Sequence, residues 1–106
     1  MLREKIEKYL LDVQKPSRYI GGEMGSIVKN PEDTDVSFAF CFPDTYDIGM
    51  SHLGMKILYS LTNSRENYRC ERVFAPLEDF ENIMREHDIP LYTLENLEPV
   101  KDFDFI

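Results

Sequence analysis

The apolar positions of the chain change period at His52. From Val36 to Phe42 they alternate, with Val36, Phe38, Phe40 and Phe42 on one side and the small residues Ser37, Ala39 and Cys41 on the other. That alternation predicts an interior strand covered on both faces. Pro43 ends it, and Asp44 to Ser51 form a polar loop in which Gly49 permits backbone angles closed to other residues. From His52 onward Leu53, Ile57 and Leu61 recur every fourth residue with Leu58 beside them, the stripe of a helix packed on a sheet, and Ser51 is placed to cap it. Strand, glycine-containing loop and helix make the opening unit of a doubly wound sheet, a fold that binds ligands outside the carboxyl ends of its strands.

The flanking segments extend this plan. Leu2 to Val13 predict a helix with Leu2, Ile6, Tyr9, Leu10 and Val13 on one face, closed at Lys15 and Pro16. Tyr19 to Val28 hold Gly21, Gly22 and Gly25 between short apolar pieces, which reads as a hairpin; the other reading makes Arg18, Tyr19 and the glycine backbone a ligand or interdomain contact. Residues 30–35 form an acidic loop. Tyr68 to Phe74 predict a second strand, and its charged Arg69 and Glu71 point toward an edge. Ala75 and Pro76 open a helix with Leu77, Phe80, Ile83 and Met84 as its buried stripe, stopped at His87 to Pro90. Leu91 to Leu94 give a third strand, Glu95 to Lys101 a loop, and Phe103 to Ile106 the start of a fourth. The expected fold is an incomplete doubly wound, Rossmann-like parallel sheet in the order 3-2-1-4, at residues 36–106, preceded by a helix and hairpin extension at residues 1–35. Such a domain continues past its fourth strand, so the chain reads as part of a longer protein.

Composition narrows the partners. A net charge of -8 and a pI near 4.7 argue against nucleic acid or an anionic membrane as the main partner of this region. No apolar run reaches membrane-spanning length, and the charges scattered through residues 1–13 do not suit a signal peptide, so a cytoplasmic location is expected. Cys41 and Cys70 fall in predicted strands without a close-spaced partner, which favours buried thiols over a disulfide.

The candidate binding residues gather at the exits of the predicted strands. Asp44, Tyr46, Asp47 and Ser51 supply hydrogen-bonding groups, Gly49 and Gly54 allow close approach, and Glu95 joins them from the loop after the third strand. Each has a plainer role as well: turn formation and capping for the two aspartates, packing for Tyr46 and Gly54. His52 sits at a helix start and His87 at a helix end, and no nucleophile and base stand at a recognisable spacing for catalysis.

The runs KPSRYIGGEMGSIVK, FPDTYDIGMSHLG and ERVFAPLEDFENIMREHDIPLYTLEN resemble the amino-terminal region of a group of bacterial radical S-adenosylmethionine (SAM) proteins described as cobalamin-binding. The resemblance implies a cobalamin-binding-like domain placed before a radical SAM barrel of the same chain, which would hold S-adenosylmethionine and an iron-sulfur cluster. No CxxxCxxC cluster motif occurs in these 106 residues. The loop also departs from the Asp-x-His-x-x-Gly pattern of cobalamin domains that supply a histidine to cobalt: Met50 stands where the aspartate belongs, and Gly54 is only two residues after His52. The resemblance therefore implies cobalamin bound without a protein ligand to the metal, or a cofactor-free module that positions substrate or docks on the barrel.

Overall fold

The computed structural model describes residues 2–13, 19, 21–22 and 25–106. It is a mixed α/β arrangement around two parallel strands, β1 (Val36–Phe42) and β2 (Tyr68–Phe74), paired in register from Val36 opposite Tyr68 to Phe42 opposite Phe74. Helix α1 spans Leu2–Tyr9, the short helix α2 Tyr46–Gly49, α3 Leu53–Asn63 and α4 Glu78–Glu86. No helix among the described residues is long and apolar enough to cross a membrane.

Where a third and a fourth strand were expected, single contacts stand instead. The Leu94 N–H donates to the Arg72 carbonyl at 2.9 Å, on the side of β2 away from β1. On the other side of β1, Ala39 donates to Phe105 at 2.8 Å and Phe105 to Ser37 at 3.1 Å, a lone parallel bridge. The third segment instead folds back on itself, with Tyr92 bridging Pro99 antiparallel and Leu97 at φ 53° in the loop between them.

Helix α1 and the 3₁₀ turn after it bury Ile6, Leu10 and Val13 against Phe80 and Met84 of α4 and against Tyr92. The stripes read for these two helices hold, because both have a single apolar face and both faces enter this one cluster. The Lys15–Pro16 stop and Arg18 lie outside the described residues. No strand forms at the glycine-rich stretch among the described residues. In place of the hairpin, Ser26 to Lys29 run as a strap over α3 and β2. Tyr59 Oη accepts the Ile27 N–H at 2.8 Å, and Lys29 Nζ donates to the carbonyls of Asn63, Arg65 and Tyr68 at 2.7, 2.9 and 2.6 Å. Ahead of the strap, one glycine is required by its surroundings. Gly21 has φ 65°, and a Cβ there would sit 2.4 Å from the Leu94 carbonyl oxygen.

Three sequence expectations about burial are corrected. The small face of β1, Ser37 and Ala39, is buried, whereas Phe38, Phe40 and Phe42 are only half covered and Cys41 is exposed. Helix α3 turns Met55, Tyr59 and Asn63 inward, and its stripe of Leu53, Ile57, Leu58 and Leu61 faces outward. Hydrogen bonding decides this: Asn63 brackets Cys70, taking its N–H and donating to its carbonyl at 3.0 Å each, and Tyr59 reaches a buried carboxylate. Strand β2, expected near an edge because of Arg69 and Glu71, is the most buried element. Glu71 is fully enclosed by Arg69, Thr93 and Asn96, and Arg69 also reaches Glu98 at 2.8 Å and lies over the Phe103 ring. Charge paired inside the fold reads, in sequence, like charge facing water.

Candidate functional site

The loop after β1 turns on its own hydrogen bonds. Asp44 Oδ1 accepts the Thr45 N–H at 2.8 Å, and the Asp44 carbonyl accepts from Ala75 at 2.8 Å, which ties the exits of β1 and β2 together. One helical turn, α2, follows; its Gly49 is buried against Phe74, and a Cβ on Gly49 would fall 2.0 Å from the Phe74 ring. The Tyr46 ring meets the same phenylalanine edge-on at 5.6 Å. Ser51, expected to cap α3, instead donates to the Asp47 carbonyl at 3.3 Å, and His52 is the cap: its Nδ1 accepts the Met55 N–H at 3.1 Å.

Beside this turn lies a hollow of about 280 Å3 at the carboxyl ends of both strands. Gly49 and Met50 form one wall, Met55, Lys56, Tyr59 and Ser60 of α3 a second, Gly25 and the strap residue Ile27 a third, and Arg72 and Phe74 the floor. Of the eight residues proposed from sequence, Gly49 alone lines it. Tyr46 borders a separate cavity of about 20 Å3, room for a single water. Asp44 serves the turn; Asp47, Ser51, His52 and Gly54 are more exposed, and a Cβ on Gly54 would touch only the His52 ring at 3.1 Å. Glu95 is buried one layer behind the hollow, accepting from Arg72 Nε at 2.6 Å, from the Arg72 N–H at 2.8 Å and from the Tyr59 hydroxyl at 2.7 Å.

Tyr59, Arg72 and Glu95 therefore act as one unit. The Arg72 guanidinium lies 4.9 Å from the Tyr59 ring centre and extends to Met50 Sδ and Ser26 Oγ, both at 3.1 Å, linking the floor to two walls. Burial pushes the Glu95 carboxyl above its ordinary range while Arg72 and Tyr59 pull it back. Burial, reinforced by the Glu95 charge, raises the Tyr59 hydroxyl so that it stays protonated and donates. Sequence reading missed Arg72 and Tyr59. The available signals were an arginine mid-strand beside Cys70 and Val73, and a tyrosine four residues after Met55 on the helix.

The histidine is poorly disposed toward a metal. A neutral imidazole that accepts at Nδ1 carries its proton on Nε2, so giving Nε2 to cobalt would cost the α3 cap. Among the described residues no group of three or more His, Cys, Asp or Glu is placed to hold a metal ion.

Residues 54–106 match the family described as radical SAM proteins, N-terminal, and the chain belongs to that family. The match begins at Gly54, within α3, and takes in β2, α4 and the Phe105 bridge. Membership implies a radical SAM domain in the same chain, and with it S-adenosylmethionine and an iron-sulfur cluster in the full protein. Neither the curated proteins nor the solved structures contain a match.

Proposed function

We propose that this region is the ligand-positioning domain of a radical SAM protein, with residues 1–35 as an extension packed on an α/β body at residues 36–106, and that it presents a cofactor or substrate to the radical SAM domain of its own chain. The observation that carries the reading is the hollow at the carboxyl ends of β1 and β2, where a glycine loop, the first turns of a helix and a strap converge. The Leu94 contact on β2 and the Phe105 contact on β1 support a sheet ordered 3-2-1-4.

Cobalamin is the cofactor suggested by the resemblance of the FPDTYDIGMSHLG loop. The fit is partial. His52 is committed to the helix cap, and a hollow of about 280 Å3 is small beside the roughly 300–1,000 Å3 of pockets that enclose drug-sized ligands. It suits the polar tail or an edge of such a cofactor, with the ring outside. Its size equally favours a cofactor-free domain that positions a small substrate.

Adding hydroxocobalamin to the full-length chain, followed by gel filtration, separates the two. The cofactor-presenting form predicts that corrin absorption travels with the protein and that Ser60→Trp, which fills the hollow from an exposed position, abolishes it. A wild-type chain that elutes free of corrin overturns that form and leaves the substrate-positioning one.

A further inference from the structure

Strand β1 carries Phe105 on the edge away from β2, and the pairing stops two residues short of the strand's end. Phe105 donates to the Ser37 carbonyl at 3.1 Å and accepts the Ala39 N–H at 2.8 Å. Asp104 fixes that register: its Oδ2 accepts the Ser37 N–H at 2.9 Å and the Ser37 hydroxyl at 3.1 Å, and its own N–H donates to Ser37 Oγ at 3.0 Å. In a parallel ladder the main-chain groups of alternate residues point to the same side, so the Ala39 carbonyl and the N–H and C=O of Cys41 come next on this edge. Beside the edge lies a groove of about 270 Å3. Phe38 and Phe40 floor it, Leu58 and Thr62 of α3 form one side, and Phe105 and Ile106, 57% and 77% exposed, form the other. The Phe105 ring stacks on Phe38 at 5.2 Å.

We infer that this edge and groove are filled by the residues that directly follow Ile106 in the full chain, extended parallel to β1 with the first of them opposite Phe40 and the third opposite Phe42. Three considerations select that occupant. Membership of a family defined at the N-terminal end of radical SAM proteins supplies further chain beyond this region. The Phe38–Phe105 bridge already sets the direction and register of that chain, so each added residue gains a pairing with no loop to close. Main-chain groups in a row on an edge pair with an extended segment, and a folded domain resting its side chains there would desolvate them without partners. In this register the first residue donates its N–H to the Ala39 carbonyl and accepts from the Cys41 N–H, and its side chain, on the face of Phe105, covers Phe40 next to Leu58. A parallel strand leaves the sheet at the same end as its neighbour. The chain leading on from it therefore emerges beside the Asp44 turn, at the end of the sheet where the ligand hollow opens.

This inference rests on the family assignment and the strand order of the proposed function, and is independent of which ligand the hollow takes. The first test is residue-resolved amide hydrogen exchange on the full-length wild-type chain. The expected result is exchange slowed on the order of a hundredfold or more, against an unstructured chain, at Cys41 and at the first and third residues after Ile106. The second is photo-crosslinking of the full-length chain with benzoylphenylalanine at Leu58, which is 53% exposed, and at Glu86 on the exposed side of α4 as a control. Position 58 should join peptides that begin directly after Ile106, and position 86 should not. Free exchange at those amides, a proline at the first or third position, or products from position 58 that join only the radical SAM domain or a second copy of the chain would overturn the inference. Slow exchange in protein that holds no corrin would sustain it while the cofactor-presenting form fails.

Discussion

The Tyr59 hydroxyl donates to Oε2 of Glu95 at 2.7 Å, the same oxygen that Arg72 Nε reaches at 2.6 Å. Through this shared atom the inner face of α3, the middle of β2 and the turn after Leu94 are held to one another. Glu95→Ala leaves the Arg72 cation buried without its carboxylate, and the expected loss is about 3–5 kcal/mol. Tyr59→Phe keeps the ring and strips one partner each from Glu95 and the Ile27 N–H, for a loss of about 1–3 kcal/mol. Urea unfolding of the two variants should rank them in that order; losses that simply add in the double variant would mean that the carboxylate and the hydroxyl are not a single unit.

Gly49 is set by contact, since an added Cβ would fall 2.0 Å from the Phe74 ring. Gly49→Ala should therefore cost about 1–3 kcal/mol, as overpacking does. Phe74→Leu in the same chain should recover part of the loss, and thermal unfolding of the single and double variants gives the coupling. An alanine at 49 that is neutral by itself would contradict the packing described.

The two thiols differ in environment. Cys70 is buried and its pKa is pushed from 9.0 up to about 12, while Cys41 is exposed and raised more modestly, also by burial. Ellman's reagent should titrate Cys41 in the native protein and Cys70 only after denaturant is added. Stability at alkaline pH follows. The native state keeps the Cys70 proton that the unfolded chain loses above pH 9, so the stability from this thiol is complete below pH 9 and is lost as pH rises toward about 12. Tyr59 and Tyr92, raised by burial in the same direction, steepen the fall. Urea midpoints measured upward from pH 9 should decline, and Tyr92→Phe should flatten the slope.

Ile6 is fully buried and joins α1 to the cluster containing Phe80, Met84 and Tyr92. Ile6→Ala should cost about 2–5 kcal/mol. If α1 were a loosely attached extension, the variant would unfold with the wild-type midpoint.

How much of this could be read from sequence depended on what a segment packs against. The apolar faces of α1 and α4 were legible because each has one stripe and one place to bury it. The parallel β1–α3–β2 unit was legible for a similar reason: its period switches cleanly at His52. The orientation of α3 was not. Periodicity reported the leucine stripe as the buried face, when Tyr59 and Asn63, which carry the hydrogen bonds, hold the other side inward. Strand β2 misled for a related reason, since Arg69, Glu71 and Arg72 find partners at Glu98, Thr93 and Glu95, residues more than twenty positions away that no local pattern connects. At the candidate site the glycine loop was found, but its side chains serve the turn. The hollow is lined largely by α3 and the strap, segments whose meeting depends on the fold.

Lys29 offers a last consequence. Its ammonium has three N–H bonds, and all three end on the main-chain oxygens of Asn63, Arg65 and Tyr68. Acylation there would remove the positive charge and strand three oxygens at the tail of α3, so the folded chain shields this amine from acetyl donors and succinimidyl esters. Lys56, on the rim of the hollow, stays open to the same reagents, and the reactivity contrast between the two lysines reports whether the strap is in place.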